Sequence, residues 1–182
     1  MTTMTWNAFH HRGEILRAVV AAADARRDGV LPMDVPGVAE NFDGELDLLS
    51  ALMLKWHARL SASIERELMR EPMDLELAVA RAWRRTADEL PGVRLLIDRC
   101  SDHPDDAEMA TAVSRAQERE WIRLAAAAGL ANDESAAAAR AGRRVEQEAR
   151  ALDAALAGQD TGSEDSAATL SFVERIRAVL AA

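Results

Sequence analysis

The sequence predicts an all-α protein, an antiparallel helical bundle of about six to seven helices, and three observations carry that expectation. Apolar residues recur with a spacing near 3.6 along almost the whole chain. Of 182 residues, 38 are alanine, against only five prolines and nine glycines, so strong helix formers far outnumber breakers. The β-branched and aromatic residues that strands draw on are scarce, and tyrosine is absent. With 49% apolar and 29% charged residues the composition is that of a folded domain with a core of its own rather than a disordered chain.

The first helix is expected from about Trp6 to Ala25 or Arg27, with Thr5 as N-cap, Asp28-Gly29 as the stop, and Trp6, Phe9, Gly13, Leu16 and Val20 on one face. Two prolines and a glycine between Leu31 and Gly37 then prevent helix. The second helix, from about Asp43 to Arg70, carries the longest apolar stripe: Leu46, Leu49, Met53, Trp56, Leu60, Ile64 and Leu68. It is expected at the centre of the bundle.

Glu71-Pro72 closes that helix, because proline disfavours helical geometry in the residue before it. Asp74 is the expected N-cap of a third helix with Leu75, Val79, Ala82, Trp83, Thr86 and Leu90 on one face. Pro91-Gly92 breaks the chain again, and a short helix from Val93 to Cys100 follows, too short to stand without packing. The segment Ser101 to Asp106 offers a capping residue, a proline and two carboxylates at the start of a fifth helix that runs to about Ala128 and stops at Gly129. A sixth helix extends from beyond Asn132-Asp133 to Leu156 and is closed by Gly158. Its inward residues are mostly alanine, which lets helices approach closely and buries little area.

This divides the chain into a bundle over residues 1–158, a polar linker over 159–166, and a C-terminal docking or swapped helix over 167–182 with Leu170, Phe172, Val173, Ile176, Val179 and Leu180 on its apolar face. No repeat of fixed period is present, which disfavours a solenoid.

Charge bounds the partners. A net charge of -9 repels a phosphate backbone, and the densest basic pairs, Arg84 with Arg85 and Arg143 with Arg144, are diluted by nearby acids, so no nucleic-acid partner is expected. No basic leader and no apolar run near 20 residues is present, so a cytoplasmic location without a membrane partner is expected, with the single Cys100 reduced. The excess of alanine and arginine over lysine resembles the codon bias of a GC-rich bacterial genome.

The standard catalytic and cofactor motifs are missing: no glycine-rich phosphate loop, no G-x-S-x-G, no H-E-x-x-H and no C-x-x-C. No cofactor is expected, catalytic residues are not assigned, and the reading leans away from an enzyme. Two anomalies remain. His57 falls within the apolar stripe of the second helix, and Glu120 near the centre of the face formed by Met109, Val113, Ala116 and Leu124. A buried imidazole and a buried carboxylate each need a partner, at a cost of ~1–3 kcal/mol if left without one. They are expected to meet in a hydrogen bond that fixes helix register.

Trp56 and Trp121, which adjoin them in sequence, complete the candidate ligand-binding set. Trp121 either widens the apolar face of its helix or marks a contact surface. A metal is not expected; the residues that would hold one are His10, Glu14, His57 and Glu120. The chain contains no Glu-x-x-His pair of the kind a di-iron bundle needs. The leading functional expectation is a cytosolic interaction or regulatory module acting through a helix-lined surface, self-associating as a homodimer, with another protein as the other possible partner. The alternative is a bundle with a buried polar site at His57 and Glu120 that binds a small ligand or metal.

Overall fold

A computed structural model describes the backbone of residues 2–157 and the side chains of residues 11–152. The helices are α1 (Thr2–Arg26), α2 (Val38–Asn41), α3 (Glu45–Arg70), α4 (Leu75–Glu89), α5 (Pro91–Asp102), α6 (Ala107–Ala127) and α7 (Ala136–Ala157). No strand occurs among the described residues, and no helix among them is long and apolar enough to cross a membrane. The chain divides into two units, Met1–Arg150 and Ala151–Ala182, and the packing described below lies within the first. The expected linker over 159–166 and terminal helix over 167–182 lie outside the described residues.

Helix boundaries follow the local chemistry. Arg27 at φ 48° and Gly29 at φ 71° carry the chain out of α1 in the left-handed region. Asp74 caps α4, its Oδ1 accepting from the Leu77 N–H at 3.1 Å, and Asp106 caps α6 by accepting from the Met109 N–H at 2.7 Å. Ser135 does the same for α7, its Oγ accepting from the Ala138 N–H at 3.2 Å.

Three boundaries differ from expectation. The connector before α3 contains the four-residue α2, opened by Gly37 at φ 89°. The break expected at Pro91-Gly92 falls at Leu90 (φ -134°, ψ 54°), and Pro91 itself occupies the first turn of α5, where its missing N–H is not needed. Ser101 and Asp102 belong to the last turn of α5, so only the residues from Asp106 onward start α6.

Two helices organise the body. Both α3 and α5 pack against α1, α4 and α6, and against each other, as the central place of the second predicted helix requires. The stripe of α3 is rotated from the predicted one: Leu48, Leu49, Leu52, Met53, Trp56, Leu60, Ser63 and Glu67 are buried, while Leu46, Ile64 and Leu68 are half-buried. In α1 the buried line is Ile15, Val19, Val20 and Ala23, with Leu16 half-buried and Gly13 exposed. The Trp6 and Phe9 side chains lie outside the described ones. Trp56 and Trp83, both fully buried, meet edge to face with ring centroids 5.7 Å apart at 74°. Such a pair adds ~0.5–1.5 kcal/mol beyond the area it buries.

Two glycines permit close approach. A Cβ at Gly92 would fall 2.2 Å from the Ala23 carbonyl carbon, so α5 starts hard against α1, and its N–H donates to Asp24 Oδ1 at 2.8 Å. A Cβ at Gly142 would fall 1.7 Å from the Trp121 carbonyl oxygen. Here α7 presents Ala138, Ala139, Ala141, Val145 and Ala149 as its buried face, the close, small-residue packing that its alanines predict.

Because the obstruction at position 142 is backbone, Gly142→Ala should destabilise the protein by about 1–3 kcal/mol or more. A Cβ at Gly13 would meet nothing within 4 Å, and Gly13→Ala should stabilise α1 by about 0.5–1 kcal/mol. Chemical denaturation of the two variants checks both signs; equal effects would contradict the packing described.

Candidate functional site

The most unusual group in the body is a carboxylate in its centre. Glu120 sits on α6 between Val113 and Leu124, is 5% exposed, and points into a region where α3, α4 and α5 converge. Its Oε2 accepts from Trp56 Nε1 at 2.8 Å and lies 3.0 Å from His57 Nε2. Its Oε1 accepts from Trp83 Nε1 at 3.0 Å and lies 3.6 Å from an Arg94 guanidinium nitrogen. One side chain of α6 is thereby tied to two of α3, one of α4 and one of α5.

The electrostatics follow from those partners. Burial by itself pushes the Glu120 carboxyl up; the His57 hydrogen bond, the Arg94 and His57 charges and the Trp83 N–H outweigh it and hold the group below the usual carboxylate range. An ionised carboxylate only accepts, so His57 donates from Nε2. A general base must titrate near the working pH. Held ionised, with both oxygens occupied by protein donors, Glu120 is suited to binding helices together rather than to moving protons.

Arg94 links this carboxylate to a second cluster. Its side chain is 7% exposed, its guanidinium stands 4.9 Å from the Trp56 ring centroid and 5.7 Å from that of Trp83, and it donates to Asp98 Oδ1 at 2.6 Å. Asp98 also receives two bonds from Arg150 of α7, at 2.7 and 3.1 Å. Arg150 donates again to Glu146 at 2.7 and 3.0 Å, while its guanidinium lies 4.7 Å from the Trp83 centroid. Glu146 Oε2 accepts from Trp121 Nε1. Burial tends to lower the Arg150 pKa, yet its bonds to Asp98 and Glu146 raise it above the ordinary arginine value.

Beside Glu120 lies a small cavity of about 10 Å³, bordered by His57, Arg94, Glu120, Glu146 and Gln117 with apolar walls from Met53, Ile97, Val113 and Ala116. That is about the space one water molecule requires. Arg94 Nε, buried at its edge, has no hydrogen-bond partner among the described residues.

The structure brings together three of the four candidate ligand-binding residues, His57, Glu120 and Trp56. His57 stands at the edge of the α3 stripe, its side chain 17% exposed, and not in the middle as its spacing suggests. Trp121 is half-buried and bonded to Glu146, so it widens the buried face of α6. Of the metal candidates, Glu14 lies on the exposed side of α1 beside His11 and Arg17, and the His10 side chain is outside the described ones. Among the described residues no group of three or more His, Cys, Asp or Glu is placed to hold a metal ion.

Sequence reasoning passed over Arg94, Asp98, Glu146 and Arg150, which lie beside the apolar faces of their helices, and it placed Trp83 in the core without its role as a donor. No protein-family model, curated protein or solved structure matches this chain.

Removal of the carboxylate leaves His57 and two indole N–H groups without their acceptor and takes one ion-pair partner from the buried Arg94, so Glu120→Ala should cost about 3–5 kcal/mol of stability, read by denaturant titration. Its pH dependence has a fixed sign. The unfolded chain takes up a proton on this residue near the ordinary value of 4.5, the folded one at lower pH. The Glu120 contribution is therefore fully present above that value and is lost as pH falls through the folded pKa. Glu120→Gln should flatten this limb of the stability curve; a limb of unchanged slope would mean that the Glu120 carboxyl titrates in the fold as it does in the unfolded chain, without the lowering its partners impose.

Proposed function

We propose that this chain is a helical interaction module of the cytosol that acts through a helix-lined surface and self-associates as a homodimer. The observation that carries the reading is the outward face of α3, where Leu54 is 71% and Met69 85% exposed, continued by Met73 at 95% just past the helix end. Large apolar side chains so fully in water favour a partner. Methionine in particular adapts its shape to one and is enriched in interfaces.

The interior supports the same reading. The buried carboxylate has its oxygens taken up by protein donors, and the adjoining cavity has room for one water molecule. The polar chemistry of the core is thus committed to holding helices in register, which leaves the surface as the place for function. Cys100 is buried and free, and burial, with Asp105 and Glu45 nearby, pushes its thiol up. A protected, protonated thiol suits a reducing compartment.

Sedimentation equilibrium of the full chain at micromolar concentration tests the proposal. The expected mass is twice the 19.8 kDa of one chain. A single 19.8-kDa species at every concentration removes self-association, and a stable complex with a different protein in its place would redirect the surface to that partner.

A further inference from the structure

Resting on the self-association reading, we infer that two copies of this chain meet along α3, antiparallel, about a two-fold axis that crosses the helix at the level of residue 60. The outward face of α3 has a pattern that its own core does not explain. Ala51, Lys55, Ala58, Ala62, Glu65 and Met69 follow one another in alternating steps of four and three residues, the spacing of a coiled-coil seam. None of the six is buried. The buried stripe of α3, which runs through Met53, Trp56 and Leu60, uses a different side of the same helix. The seam faces outward, bordered along Lys55, Ala58 and Ala62 by a groove of about 740 Å³ whose opposite side is formed by Glu89 and Leu90 at the end of α4.

The seam is complementary to itself in one direction only. An axis at residue 60 sets each residue opposite the one equally far beyond the axis, as an isologous contact requires. Ala58 then faces Ala62 of the second copy at the crossing, where two methyl groups let the helix axes approach at or below the usual 8–10 Å. Lys55, five residues before the axis, faces Glu65, five residues after it. Ala51 faces Met69, so a side chain 85% exposed in the single chain enters the space left by one of the smallest.

Each pairing occurs twice by symmetry. Neither Lys55, the only lysine of the chain, nor Glu65 makes an ion pair among the described residues. A parallel arrangement would instead set Lys55 against Lys55 and Glu65 against Glu65, which like-charge repulsion disfavours. Two chains of net charge -9 repel as wholes, and two crossed ion pairs fix the place and direction in which they can approach.

A charge-reversal cycle on the full chain tests this. The dimer dissociation constants of the parent, Lys55→Glu, Glu65→Lys and the double variant are compared by sedimentation equilibrium, with circular dichroism as the check that each is folded. Each single reversal creates two like-charge contacts per dimer and should weaken association about tenfold or more. The double variant restores opposite charges and should return to within about threefold of the parent. A dimer that tolerates both single reversals, or a double variant no tighter than the singles, overturns the α3 geometry while self-association stands. A monomeric parent overturns the underlying reading and this inference with it.

Discussion

Taking a carboxylate out of water costs several kcal/mol even after the surroundings relax, and a protein that places one in its core must return most of that through hydrogen bonds and opposite charge. Glu120 meets this requirement with three donors, two from consecutive residues of α3 and one from α4, and with the opposite charge of the α5 guanidinium 3.6 Å away. The constraint then runs outward. Both indoles must lie with their N–H toward one carboxylate, which leaves their rings edge to face, and the arginine must run along those rings to reach it. A slip of any of these helices by one residue would strand a buried donor. The apolar stripes bring the helices together; the carboxylate selects a single register among the ways they could pack.

The second cluster extends the same logic to a helix that has little else to hold it. The face of α7 within the body is mostly alanine, and apolar burial at about 25 cal/mol per Å² gives such a face little to gain. Its fixed points are instead Gly142 on the Trp121 carbonyl, Glu146 on the Trp121 indole, and Arg150 on Asp98. Asp98 receives Arg94 as well as Arg150, so the anchoring of α7 is coupled to the Glu120 site through one shared carboxylate. Double-mutant behaviour across this chain of contacts is expected to be non-additive, as it is for connected polar networks generally.

Much of this was legible in the sequence, for a reason that individual residues make plain. Helix positions follow from capping residues and breakers, and Asp74, Gly129 and Pro72 act where a local rule places them. Glu120 was visible because it lies in the middle of an otherwise apolar face, where a charge cannot be accidental. His57 was visible for the same reason, although the true centre of the α3 stripe is Trp56 and the histidine stands at its edge. Arg94 and Glu146 were not, because a charged residue beside an apolar face is indistinguishable by periodicity from one that is solvated; what buries them is a neighbouring helix. The role of Trp83 was hidden differently. Its ring reads as core from its spacing, while the direction of its N–H depends on a partner 37 residues away. The rotation of the predicted stripes in α1 and α3 has a similar origin, since tertiary packing chooses among several apolar residues where periodicity only averages them.

Interior and surface thus divide the work. The interior ties its buried carboxylate to donors from the surrounding helices, and the outward side of α3, opposite the residues that hold Glu120, is the face we propose as a seam for a second chain. The charge state of one buried group underlies this division, and carboxyl-carbon NMR of the protein labelled at glutamate reads that state directly. The Glu120 resonance should keep the shift of an ionised carboxylate while the exposed glutamates titrate around it, and should change only at lower pH as the fold is lost. A Glu120 resonance that titrates with the exposed glutamates, or above them, in a protein that stays folded would contradict the central claim.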